Sequence, residues 1–181
     1  MKKQLRQLLQ SQRERIIKFI IMLAPNICGY AGEQMFSRQL KAARLPKIEF
    51  DSVQLIEIAQ SFSIGKERLV QAMPYLLSEY GRQAGKQFRI DWQNVPASVV
   101  LDYVYGIDSI FNFRGWTIGI DVTVNPNAIA DKNAKIQRLK PLWSAIGVDY
   151  CAIALIHKNC SVEETTAALR LIIKGATVIE F

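Results

Sequence analysis

Asp108 and Asp121 are the residues of this chain best placed to do chemistry together. They lie in the stretch Gly106 to Val124, GIDSIFNFRGWTIGIDVTV. Its second half alternates strictly. Trp116, Ile118, Ile120, Val122 and Val124 interleave with Thr117, Gly119, Asp121 and Thr123, the period-2 pattern of a strand with one apolar and one polar face. The first half is rougher. Ile107, Phe111 and Phe113 face one way and Asp108, Asn112 and Arg114 the other, with Ile110 on the polar side. A two-residue turn at Arg114-Gly115 pairs Phe113 with Trp116 and sets Asp108 directly opposite Asp121, with Cβ atoms about 4.5–5.5 Å apart. Carboxylates that close repel, so one takes a proton or a cation sits between them, and a divalent metal is the usual cation. Arg-Gly is not the favoured Asn-Gly type of turn. A four-residue loop would set Asp108 opposite Gly119 and leave Asp121 diagonal on the same face. The plainer alternative makes Asp108 a turn residue after Gly106 and Asp121 a solvated strand residue.

The elements around this hairpin follow from periodicity and punctuation. Residues 1–24 carry Leu5, Leu8, Leu9, Ile16, Phe19, Ile20 and Leu23 at helical spacings, and Pro25 stops them. A second helix is expected over 31–43, with Met35, Phe36 and Leu40 inward and Arg38, Lys41 and Arg44 outward. Asp51 and Ser52 cap a helix to about Gln60, Phe62 to Gly65 breaks it, and another runs over 66–80 with Pro74 inside. These two helices have the outline of a helix-turn-helix, but the exposed set Glu57, Lys66, Glu67 and Glu79 is not basic, so helical packing is the reading. Gly81, Gly85 and Lys86 mark a loop, and Gln87 to Trp92 a short strand. The apolar run from Val99 to Val104 fits a strand or a turn of helix. After the hairpin come a helix over 128–145, a buried strand over 150–156, a helix from Ser161 to about Lys174 and a last strand over 176–181. The fold class is therefore α/β: a central mixed sheet with a β-hairpin core flanked by helices, plus an N-terminal helical extension. The division expected is a basic helical region, 1–64, and an α/β core, 65–181.

The 181-residue chain is half hydrophobic and carries a net charge of +7. The surplus sits early: Lys2, Lys3, Arg6, Arg13, Arg15, Lys18, Arg38, Lys41, Arg44 and Lys47 face only Glu14 and Glu33 in the first 47 residues. Such a segment suits a polyanion, nucleic acid before acidic membrane, or else a solubilising helix face. Cys28, Cys151 and Cys160 make no CxxC pair and His157 is the single histidine, which excludes the usual zinc patterns and gives no support to a histidine triad. The odd cysteine count fits a reducing cytoplasm. The apolar run Phe19 to Ala24 is too short to span a bilayer, so no membrane association is expected.

An aspartate in Gly-Ile-Asp, a hairpin, then Ile-Asp-Val-Thr, a helix and a buried strand resembles the PD-(D/E)XK nuclease superfamily, the restriction-endonuclease-like fold, over about residues 65–157. Asp108 matches the first acid of its motif and Asp121 the second. Ile107 replaces the usual proline, and Thr123 stands where the motif has lysine. In some members that lysine has moved to the following helix, and Lys135 or Lys132 is the counterpart here. Glu67 matches the glutamate often found on the helix before the hairpin, with Glu33 the alternative. The resemblance implies a Mg²⁺-dependent DNA endonuclease of restriction, repair or mobile-element type, with Mn²⁺ as a substitute metal. Asp108, Asp121 and the Val122 main-chain carbonyl would hold the metal, and Arg13, Arg15, Lys18, Arg38, Lys41 and Arg44 the DNA backbone. A homodimer or higher homo-oligomer would cut both strands. Thr123 also opens the alternative of a catalytically inactive nucleic-acid-binding or assembly protein on the same fold.

Overall fold

The computed structural model describes residues 29–45, 47–84 and 87–181. The helix expected over 1–24, with Arg13, Arg15 and Lys18, lies outside them. A four-stranded mixed sheet organises the rest, in the order β3 (Ser109–Phe113), β4 (Trp116–Thr123), β5 (Tyr150–Leu155) and β6 (Val178–Glu180). β3 and β4 are antiparallel, while β4, β5 and β6 run parallel. The parallel steps are spanned by α5 (Ile129–Ala145) and α6 (Val162–Ile173).

Helices cover both faces of the sheet. On one face Phe111, Phe113, Ile118, Ile120 and Val122 pack with Phe36 and Leu40 of α1 (Gly29–Ala42) and Leu169 and Ile172 of α6. On the other, Ile110 and Ile153 pack beneath α2 (Ser52–Gln60), α3 (Ser63–Tyr80) and α5. The polar side of β4 is therefore not a water-facing surface: every residue from Ile118 to Thr123 is buried. The 64/65 boundary falls within the first turn of α3, and Leu55, Ile56 and Ala59 share a core with Ile107 and Ile110.

Local chemistry sets most element ends. Asp51 Oδ1 accepts from the Val53 N–H at 2.7 Å and caps α2. Ser161 and Glu164 form a reciprocal capping box at the start of α6. β1 (Gly81–Ala84) pairs antiparallel with β2 (Gln87–Ile90), where sequence reading expects a loop at Gly81 before a single strand. The apolar run after Pro96 is helical: α4 (Ala97–Val100) continues into a π-helical turn over Leu101–Tyr105. That turn is anchored from within the core. The Tyr105 hydroxyl donates to Leu55 O at 2.6 Å, and Trp143 Nε1 donates to Tyr105 O at 2.7 Å. Tyr105→Phe would remove this buried hydrogen bond, leaving the Leu55 carbonyl its helical partner, and is expected to cost about 0.5–1.5 kcal/mol in urea unfolding. An unchanged midpoint would show that the hydroxyl contributes nothing.

Candidate functional site

The hairpin adopts the tighter of its two expected registers. Phe113 pairs with Trp116 and Ser109 with Ile120, around a two-residue turn at Arg114-Gly115. Both turn residues have positive φ, 55° and 86°, as a type I′ turn requires. The Gly115 N–H donates to Asn112 Oδ1 at 3.1 Å, which supports the turn despite its arginine. Continued by one residue, the register places Asp108 opposite Asp121.

The two carboxylates have different surroundings. Asp108 precedes β3, and its N–H donates to Ile120 O at 2.9 Å. Its Oδ2 accepts from the Val122 N–H at 2.6 Å. Burial pushes the Asp108 carboxyl up to about 7. The Val122 hydrogen bond opposes that rise, and the charges of Asp121, Glu33 and Asp102 add to it. Asp121 is 4% exposed and faces the α5 side. Its Oδ1 takes the Lys132 ammonium, which also donates to Val122 O at 3.1 Å. Its Oδ2 is buried without a hydrogen-bonding partner among the described residues and meets Lys135 Nζ as an ion pair at 2.5 Å.

Three backbone features bring these groups together. Lys132 and Lys135 are three apart on α5, hence on one helix face, and both reach Asp121 of β4. Gly106 ends the π-helical turn at φ 66°, and a Cβ there would come within 3.1 Å of Lys135 Nζ, so the glycine serves both the turn and the lysine. Gly32 lets α1 approach β4 closely, since a Cβ would lie 2.6 Å from Val124 Cγ1. That approach carries Glu33 to the same end of the sheet.

Glu33, not Glu67, is the glutamate of this cluster. Partial desolvation raises the Glu33 carboxyl above its ordinary range; Asp102 and Asp121 add to this, while Lys132 and Lys47 oppose it. Glu67 instead makes a two-pronged pair with Arg138, at 2.6 and 2.7 Å, and accepts from Gln71 Nε2 at 3.2 Å. The fold thus turns Glu67 to a surface ion pair. Sequence reading missed two members of the cluster. Asp102 lies on the π-helical turn, its carboxyl raised by desolvation and by Asp121 against the pull of Lys135 and Lys132. Arg68 of α3 donates to Tyr103 O at 2.6 Å and to Val104 O at 3.3 Å, tying that turn to α3. Asp102 stood inside an apolar run, where a lone acid reads as a solvated residue.

Thr123, at the motif's lysine position, serves the backbone. Its Oγ1 accepts from the Asn125 N–H at 3.1 Å and donates to Asn125 O at 3.3 Å. Arg38, Lys41 and Arg44 lie exposed on α1 and just past its end. Among the described residues, no three His, Cys, Asp or Glu side chains form a group able to hold a metal ion. No helix among them is long and apolar enough to cross a membrane. The half-buried Cys151 is free, its thiol held up by burial.

The raised Asp108 pKa makes stability depend on pH. The folded state holds this proton up to about 7, whereas the unfolded carboxyl releases it near 4, so stability falls as pH rises through that window. Asp108→Asn mimics the protonated form and should remove about 2–4 kcal/mol of this loss. Urea unfolding near pH 5 and near pH 8, without divalent cations, measures it. Equal pH dependence in both proteins would refute the assignment.

Comparison with family models, curated proteins and solved structures finds no match to this chain.

Proposed function

We propose that this protein is a metal-dependent endonuclease that hydrolyses phosphodiester bonds in DNA, on a restriction-endonuclease-like fold. One observation carries the reading. The Lys132 ammonium rests on Asp121 Oδ1 and Val122 O, two of the oxygens that the motif resemblance assigns to the metal. A cation position is built here, and in this state a lysine fills it. The donor set is all oxygen, and both Asp121 oxygens already draw cationic groups, so the residues suit a hard cation. Asp121, Asp108 and Val122 O would hold Mg²⁺ or Mn²⁺. When bound, such an ion makes a coordinated water more acidic and offsets charge developing on the scissile phosphate.

The chain's own groups do the rest. Asp108, with its carboxyl near 7, would serve as a second anionic ligand once its proton is lost to solvent. Lys132 leaves Asp121 Oδ1 and presents its ammonium to the phosphate, while Lys135 keeps Asp121 Oδ2 oriented. Glu33 and Asp102 stand at the solvent edge, where an incoming water can hydrogen-bond. Arg38, Lys41 and Arg44 hold the DNA backbone by charge, which makes affinity salt-dependent. Cutting both strands takes two such sites, hence a homo-oligomer. The test is nicking of supercoiled plasmid with Mg²⁺, beside an Asp121→Ala control.

A second reading, a catalytically inactive nucleic-acid-binding or assembly protein on this fold, draws on the same pair of lysines. Both Asp121 oxygens already meet ammonium groups, so its negative charge is compensated without metal. DNA retardation in EDTA with no nicking in Mg²⁺ would favour it.

A further inference from the structure

At the far end of β4 from Asp121, three cations surround an exposed indole. Trp116 opens the strand and is 43% exposed. It shares parity with Ile118 and Ile120, so it lies on the face covered by α1 and α6. Asp121 lies on the other face, roughly 16 Å further along the strand. Arg114 from the hairpin turn and Arg170 and Lys174 from the end of α6 line one open cavity with Trp116 and Ile173. All three cations are exposed, and none has an ion-pair partner among the described residues.

The arrangement is held in place. Tyr150 packs edge-on against Trp116, with centroids 5.4 Å apart and planes at 85°, which fixes the indole's attitude. The turn holds Arg114 at φ 55°, and its guanidinium lies 5.6 Å from the Phe113 ring centre. Asp149, which precedes Tyr150, is engaged by the Thr117 N–H at 2.8 Å. Arg170 and Lys174 also complement the C-terminal dipole of α6, but that does not account for Arg114, which comes from another element.

We infer that this corner binds single-stranded nucleic acid, with one base stacked on Trp116 and the flanking phosphates against Arg114, Arg170 and Lys174. A fixed aromatic face among unpaired cations suits an unpaired nucleotide, whose base offers a π-face of its own. A duplex hides that face. An acidic peptide uses the cations but gains little from a fixed ring. The site does not depend on the chemistry at Asp121.

The test uses the full chain in EDTA and a short fluorescein-labelled oligothymidylate, read by anisotropy. Trp116→Ala should weaken binding roughly tenfold, with Trp116→Phe retaining most of the affinity. Arg170→Glu with Lys174→Glu should lower the slope of log K against log salt by roughly 1.4, for two single-strand phosphate contacts. A duplex of the same length should lose little with Trp116→Ala. Unchanged oligothymidylate binding in Trp116→Ala, or equal loss for the duplex, would overturn the proposal. Polyglutamate that binds wild type and Trp116→Ala equally, displaces the oligonucleotide from both, and is lost with Arg170→Glu and Lys174→Glu would replace it with an acidic-peptide site.

Discussion

Asp121→Ala is expected to lower Mg²⁺-dependent plasmid nicking by roughly 10³-fold, the order seen when a contact aimed at transition-state charge is removed. The variant should still fold. Asp121 is 4% exposed, but the side chains of the two lysines that meet it are 24% and 31% exposed, so their ammonium ends can turn to water. The desolvation cost that usually follows from breaking a buried pair is then largely avoided. Circular dichroism and a melting curve check this before kinetics are compared. Asp121→Asn, which keeps the shape and loses the charge, should be nearly as inactive. Equal nicking by wild type and Asp121→Ala would remove the nuclease reading.

Lys132→Met should tighten Mg²⁺ binding roughly tenfold by calorimetry while reducing nicking, because the ammonium competes with the ion for Asp121 Oδ1 and Val122 O. Lys135→Met serves as the comparison. It also removes a positive charge from Asp121, but from Oδ2, so it should tighten binding less. Lys132→Arg, which keeps the charge, should leave Mg²⁺ binding weak. Equal tightening in the Lys132 and Lys135 variants would mean that net charge matters and competition does not. Absence of Mg²⁺ binding in every variant would refute the metal-dependent reading itself.

The parts of the molecule legible in sequence were those where local chemistry and burial agree. Strict alternation from Trp116 to Val124 marked β4 and Ser161 announced α6, whereas the hairpin register stayed open in sequence between a two-residue turn and a four-residue loop. Ile136, Leu139, Leu142 and Trp143 recur at helical spacing along α5 and are all buried. Illegibility came from tertiary contacts. Val99, Val100 and Val104 suit a strand as well as a helix, and the packing of Tyr105 and Trp143 decides for the helix. β1 has no apolar alternation, since Gly81, Arg82 and Gln83 carry no stripe. The choice between Glu33 and Glu67 rested on which helix reaches β4. A glycine at position 32 and an arginine at position 138 settle it, and neither is near the other in the chain.

The outer side of β3 is already occupied. The Ile48 N–H donates to Ile110 O at 2.8 Å, and Lys47 bridges to Phe111. The edge is therefore capped at Ile110 and Phe111, where pairing by a strand from another molecule would have to displace this contact, and Lys47 stands beside it. If two copies act together on DNA as proposed, they would meet away from this point, through helical surfaces or beside the three-residue β6.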